Sequence, residues 1–365
     1  MSTVLILLLV LAVLVLVHEF GHFIVAKCSG IDVEEFGLGL PPRAWGRRIG
    51  DTLYSLNWIP FGGFVRIAGD DEDSTPGSSV VRTGRDFKSK SFFTKTSVMA
   101  GGVIANTYLA FLLIALAFWI GIPVSLESYP NVSMRDTWVS IVGTAAASPA
   151  TNAKLPTPSR LSAIGVDGKK FAVVKPEDVQ SLIQSNVSGE VILYILDNNM
   201  VEKTYSLKSE LRKDTGLPGI GVMLDKVGIP AYGPLGAIQE SFTFSGKLIL
   251  NTATELVLLI KRTFSGSGSL ESISGPVGIA GILANATSEG LGPLLFIVAL
   301  ISMSLAVINF VPFPALDGGR FLFLVIEFVL RRPIKPALSR AVNLTGFALL
   351  LLLMVFVTYN DIVSL

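Results

Sequence analysis

Over much of this chain apolar residues do not alternate with polar ones; they run on without a break. From Thr3 to Ala26 the only ionisable side chains are His18, Glu19 and His22. As a helix that stretch is about 36 Å long, enough to cross the hydrocarbon core of a bilayer. Val98–Ile122, Leu291–Val311 and Leu344–Val357 with its flanks have the same character. Four membrane spans are predicted. The first lacks both a basic leader and a small-residue cleavage site, so it reads as a retained helix rather than a signal peptide.

Between the spans the pattern changes. Within residues 31–68, Phe36–Leu40, Tyr54–Ile59 and Gly63–Ile67 are strand-like runs separated by Gly and Pro. They predict a sheet dipping into the membrane, where irregular backbone is tolerated only if buried or lining a cavity. An edge strand there could pair with an added extended segment. The acidic stretch Asp70–Ser79 reads as a mobile connection. Residues 125–227 have the mixed composition of a water-exposed domain. Strands are expected at Trp138–Val142, Arg160–Val166, Val191–Leu196 and Val201–Leu207, with a turn at Asp197-Asn198-Asn199. Helix Pro176–Ser185 presents Val179, Leu182 and Ile183 on one face. Leu235–Ile260 predicts a mixed helix at the membrane interface, followed by a Gly/Ser hinge at 265–269. The expected division is 1–122, 123–230, 231–290 and 291–365.

Composition agrees with this reading. Of 365 residues 50% are apolar and only 16% charged, against about 25% charged in soluble domains. A net charge of +1 gives no general attraction to nucleic acid. Cys28 is the only cysteine, so no intramolecular disulfide can form. The ten Lys and Arg residues between 27 and 95, and Arg331, Arg332, Lys335 and Arg340 between the last two spans, put both loops in the cytoplasm by the positive-inside rule. Residues 123–290 then face outward.

The chemistry lies in His18-Glu19-Phe20-Gly21-His22. Residues four apart share a helix face, so both imidazoles can bind one zinc, with Glu19 beside it as general base for the bound water. Ionisable groups inside an apolar span are costly without a partner, and a metal supplies one. Catalytic zinc usually takes three protein ligands, and the chain has no third histidine. The remaining ligand is expected to be a carboxylate. Asp317, in Asn309-Phe310-Val311-Pro312-Phe313-Pro314-Ala315-Leu316-Asp317-Gly318-Gly319-Arg320, stands where prolines break the third span at a matching depth; Glu327 is the competitor.

These motifs, together with Val33–Leu40 and the run Tyr54–Asp73, resemble the site-2 protease family, in its bacterial RseP/RasP-type branch of intramembrane zinc metalloproteases. The resemblance covers nearly the whole chain. It implies His18, His22 and Asp317 as Zn2+ ligands, Glu19 as the catalytic glutamate, and Asn309 and Asn106 as substrate-positioning or oxyanion groups. It also implies a polytopic α-helical membrane protein of about four spans, with a membrane-dipping β-hairpin and one PDZ-like α/β domain outside the cytoplasm. In that domain Lys154 and Pro156–Ser159 depart from the family pattern, which bears on peptide binding. The implied location is the inner (cytoplasmic) membrane. The implied substrates are transmembrane proteins such as anti-sigma factors or remnant signal peptides, already shortened by an upstream site-1-type protease. The alternative is a membrane metal transporter or sensor using the same ligands, although no further ligand ladder accompanies them.

Overall fold

The computed structural model describes residues 3–70, 84–186, 189–197, 200–211, 216, 218–265 and 275–363. Residues 71–79 of the acidic stretch, 266–269 of the expected hinge, and Asn198-Asn199 of the expected turn lie outside the described residues. The chain forms two compact units, Met1–Leu116 with Ile238–Leu365, and Ala117–Ala237.

The first unit opens with α1 (Thr3–Cys28), β1 (Val33–Ile49), β2 (Thr52–Ile67) and α2 (Phe92–Ile120). The second contains β3 (Val124–Ser125), β4 (Met134–Thr144), α3 (Pro149–Asn152), β5 (Ser159–Val166), β6 (Lys169–Ala172) and α4 (Pro176–Ser185). It continues with β7 (Glu190–Leu196), β8 (Glu202–Lys208), β9 (Glu210–Leu211), β10 (Pro218–Gly219) and β11 (Val222–Pro230). The chain then returns through α5 (Pro234–Phe264), α6 (Pro276–Glu289), α7 (Leu291–Phe310), α8 (Asp317–Leu330) and α9 (Pro336–Val363).

Among the described residues four helices, α1, α2, α7 and α9, are long and apolar enough to cross a membrane. They match the four hydropathy runs, with α2 starting earlier at Phe92 and α9 at Pro336, where a proline costs no helical hydrogen bond. Helices α6 and α8 were not anticipated. At 14 residues each they are too short to span, so hydropathy merges them with their loops. Pro312 and Pro314 end α7 and separate it from α8, while α6 packs against α1, α7 and α9.

Strands β1 and β2 form the expected sheet beside α1, but each strand is long and bent. Val33–Leu38 pairs with Gly63–Ile67 in antiparallel register (Val33↔Ile67, Phe36↔Val65, Leu38↔Gly63). On its other side the partners advance together (Glu35↔Leu53, Phe36↔Tyr54, Gly37↔Ser55, Leu38↔Leu56), and Arg43–Ile49 folds back on Thr52–Asn57. The three runs seen in the sequence are therefore segments of two strands. Buried Glu35 ties the sheet together, accepting from Arg66 at 3.2 Å and Arg43 at 3.4 Å. Val33, Val65 and Ile67 pack with Ala26, Phe87 and Met99, which docks the Gly63–Ile67 segment against the end of α1.

The second unit is built on a sheet of order β3-β11-β4-β5-β7-β8, with β6 added to β5. Its core is Val139, Ile141, Leu161, Ile164, Leu193 and Ile195, covered by Val179 and Ile183 of α4. Asp178 accepts the backbone N–H groups of Lys175 (2.8 Å) and Val174 (3.1 Å) at the start of α4. Those bonds hold its carboxyl below the ordinary aspartate range. Strand β11 was missed in the sequence, because Asp225, Lys226 and Gly228 interrupt its apolar pattern.

Candidate metal centre

Helix geometry brings the two histidines of α1 onto one face, with Nε2 atoms 3.3 Å apart. One residue, 299 positions from His18 and 295 from His22, completes the cluster: Asp317 Oδ2 lies 2.9 Å from His18 Nε2 and 3.1 Å from His22 Nε2. Asp317 owes its place to the prolines, which stop α7 and restart the chain as α8 with Asp317 in the first turn. Gly318 and Gly319 let that turn press into the preceding loop: a Cβ at either would meet a backbone oxygen, of Val311 or Phe313, at 2.2 Å. Among the described residues, His18, His22 and Asp317 form the group able to hold a metal ion. Glu327 does not join them; its Oε1 accepts the Ile334 N–H at 2.8 Å.

The donor chemistry fits a metal. His22 Nδ1 lies 2.7 Å from the Val98 carbonyl, so it carries the proton and donates, leaving Nε2 with its lone pair. Behind His18, Asn106 is buried, with Nδ2 3.4 Å from His18 Nδ1 and Oδ1 without a partner. Turning the amide by 180° lets Oδ1 accept from Nδ1–H, which again leaves Nε2 bare. Two imidazole lone pairs and a carboxylate oxygen then converge at 2.9–3.3 Å. Three acceptors repel unless a cation lies between them. Zinc bonds of about 2.0–2.2 Å at tetrahedral angles hold ligand atoms roughly 3.4 Å apart, close to this spacing.

The surroundings keep room for the ion. A Cβ on Gly102 of α2 would sit 2.5 Å from His22 Nε2 and 2.7 Å from His18 Nε2. The helices can approach because Gly21 and Gly101 meet backbone to backbone, where a Cβ on Gly21 would lie 2.2 Å from the Gly101 oxygen. Ser302 of α7 completes the packing by donating to the backbone carbonyl oxygen of Asn106 at 2.9 Å. Reading by residue type missed these glycines. The Gly101-Gly102 pair inside an apolar span was the available signal, since glycine weakens a helix unless close approach requires it.

A cavity of about 240 Å³ opens beside the cluster, lined by Glu19, His22, Gly63, Phe64, Asp317 and Arg320 among others. Glu19, next to His18 in sequence, thus faces the same space as the metal-binding atoms without belonging to the cluster. Gly63 is pressed against it; a Cβ there would lie 3.3 Å from Glu19 Cγ. Asn309 is half-buried near the end of α7 and is not among the described residues that line the cavity. Cys28 is exposed.

A membrane-spanning scaffold carrying a two-histidine, one-carboxylate cluster with a neighbouring glutamate defines a metallopeptidase-type centre. The chain belongs to peptidase family M50, whose description matches residues 6–353. It is similar to the zinc metalloprotease RasP of Shouchella clausii, with 30% identity over 100% of both chains. A zinc metalloprotease RasP of Oceanobacillus iheyensis is 27% identical over 99% of both. A Clostridium perfringens protein, provisionally designated a zinc metalloprotease, is 31% identical over 98% of this chain and 97% of its own length. With four helices able to cross a bilayer, the protein is a membrane peptidase of that family.

Proposed function

We propose that this chain hydrolyses peptide bonds of single-span membrane proteins within or beside the bilayer, with zinc held by His18, His22 and Asp317 and Glu19 as general base. The observation that carries the reading is the convergence of His18 Nε2, His22 Nε2 and Asp317 Oδ2 beside a cavity that Glu19 also lines. Zinc held by these three residues would supply Lewis acidity toward the scissile carbonyl and toward a water. Glu19 takes the proton from the attacking water and returns it to the leaving amine. Val98 and Asn106 hold the two imidazoles in the tautomer that aims Nε2 at the metal. Asn106 therefore serves through His18, and Asn309 is assigned to the substrate's backbone.

Strand addition fits the same cavity. Gly63–Ile67 pairs with Val33–Leu38 on one side and, among the described residues, with no strand on the other. An unwound substrate segment pairing there offsets the several kcal/mol needed to expose its backbone in an apolar setting. The basic loops are assigned to the cytoplasm and the 117–237 unit, read as PDZ-like, to the outside of the inner membrane. Anti-sigma factors and remnant signal peptides, shortened by a site-1-type protease, are the substrates this layout suits. Membership in a peptidase family favours this over metal transport or sensing.

The test uses purified full-length protein in nanodiscs. Asp317→Ala should lose its zinc and its cleavage of a single-span substrate, whereas Glu19→Gln should keep about one zinc per chain and lose cleavage. Retention of zinc and activity by Asp317→Ala overturns the ligand assignment.

A further inference from the structure

A second, larger cavity adjoins the first. It measures about 430 Å³, within the roughly 300–1,000 Å³ of sites that enclose ligand-sized groups. The two share Met99, Ala315 and Arg320 as lining residues, so they lie side by side. Its charge is uneven. Among the described residues, Lys88, Lys95, Arg320 and Arg340 line it, against Asp70 and Glu327. Asp70 lies 3.7 Å from Arg320 Nη1, so these two offset each other, and Glu327, which accepts the Ile334 N–H at 2.8 Å, faces an excess of positive charge from Lys88, Lys95 and Arg340. The floor is apolar, from Phe323, Leu324 and Phe347. Nothing in the proposed chemistry uses these cations.

We propose that this second cavity is a specificity subsite for acidic side chains of the substrate, on the flank that leaves the catalytic cavity toward the basic loops. The proposal rests on the catalytic reading of the neighbouring cavity. Adjacency to the catalytic cavity is what favours peptide over a lipid headgroup. A chain whose scissile bond lies beside Asp317 passes Arg320, one helical turn along α8, and each further extended residue advances about 3.3 Å into the larger space. Carboxylates there meet cations in a partly enclosed setting, where opposite charges attract more strongly than in open water. Lysines in the same positions meet like charge. The apolar floor holds the side-chain stems, so the subsite selects acidic residues set among apolar ones.

The experiment uses full-length protein in zwitterionic nanodiscs and three single-span substrates. They differ only in a three-residue cassette, acidic, neutral or basic, on that flank of the mapped cleavage position. Wild type should favour the acidic over the basic cassette about tenfold in kcat/KM, chiefly through KM, with the preference shrinking as salt is raised. The double variant Lys95→Glu/Arg340→Glu should invert the ratio. Zinc content and melting temperature report whether it folds; if it does not, Arg340→Gln alone should reduce the preference to about threefold. A wild-type ratio within twofold, or a ratio unmoved by the variants, overturns the subsite. An anionic lipid in the cavity gives a different result: phosphatidylglycerol changes cleavage of all three substrates alike and the variants abolish that response, which also overturns it. Failure of the catalytic reading shows separately, as cleavage of the neutral substrate by Glu19→Gln.

Discussion

The two units of this chain are built on opposite principles. In the 117–237 unit, large apolar side chains point inward: Ile141, Leu161, Ile164 and Leu193 are fully or almost fully buried. In the membrane unit many of the largest apolar side chains point outward, with Ile104 62% and Leu352 67% exposed. Its interior is instead furnished by Gly21, Gly101 and Gly102 at a helix crossing, and by buried His18, His22, Asn106 and Ser302. Water drives the first arrangement, because burying apolar surface is favourable there. In lipid that drive between helices vanishes, and association depends on close backbone approach and interhelical hydrogen bonds. The polar interior required for a metal site is therefore the ordinary way such helices pack, turned to chemical use.

That contrast ties the glycines of the helix crossing to the metal site, whereas a sheet glycine such as Gly165 bears on packing alone. Gly102→Ala should cost the membrane unit its zinc and at least about 100-fold in cleavage, since the new methyl occupies the ion's space. Gly165→Ala in the sheet, where a Cβ would lie 3.2 Å from Ile192 Cβ, should cost about 1–3 kcal/mol of stability and leave zinc content alone. Metal analysis beside thermal melts checks both, and equal zinc loss in the two variants would break the comparison.

Removing apolar bulk should show the reverse order. Ile164→Ala is expected to destabilise the 117–237 unit by about 2–5 kcal/mol, read by denaturant titration. Leu352→Ala, on the lipid-facing side of α9, should cost about 0.5 kcal/mol or less.

A smaller effect separates packing from ligand support at Asn106. Asn106→Leu should weaken zinc binding about 10- to 100-fold, as loss of an orienting partner does, with helix content preserved. Asn106→Asp should recover most of the affinity, because a carboxylate can still accept from His18 Nδ1–H. Equal zinc affinity in all three proteins would reduce Asn106 to a helix–helix contact.

The last prediction leaves activity untouched. In a Cys28→Ala background, single cysteines at Asp51, in the β1–β2 turn, and at Asn152 in the other unit, both exposed, should react with an impermeant thiol reagent from opposite membrane faces. Labelling from one face would overturn the assigned orientation.

Much of this was legible in one dimension. Runs of apolar residues specify spanning helices because a bilayer sets a minimum length and forbids unpaired backbone. Two histidines four apart on a helix must share a face whatever else the chain does. The alternation of Thr204, Ser206 and Lys208 with Tyr205 and Leu207 likewise reports a strand with one buried side, and that strand is β8. Local periodicity carries all three. The short helices α6 and α8, the doubled pairing of Val33–Leu38, and the place of β11 between β3 and β4 are not local. Each depends on partners far away in sequence, which no window of neighbouring residues contains. The same holds at the metal centre. Residue type and depth could rank Asp317 above Glu327, but which carboxylate reaches His18, across 299 positions, is settled by how α7, its proline break and α8 pack. Asn106 shows the limit most clearly: an amide in an apolar span reads as polar and functional, and only the neighbouring helix puts His18 Nδ1 beside it.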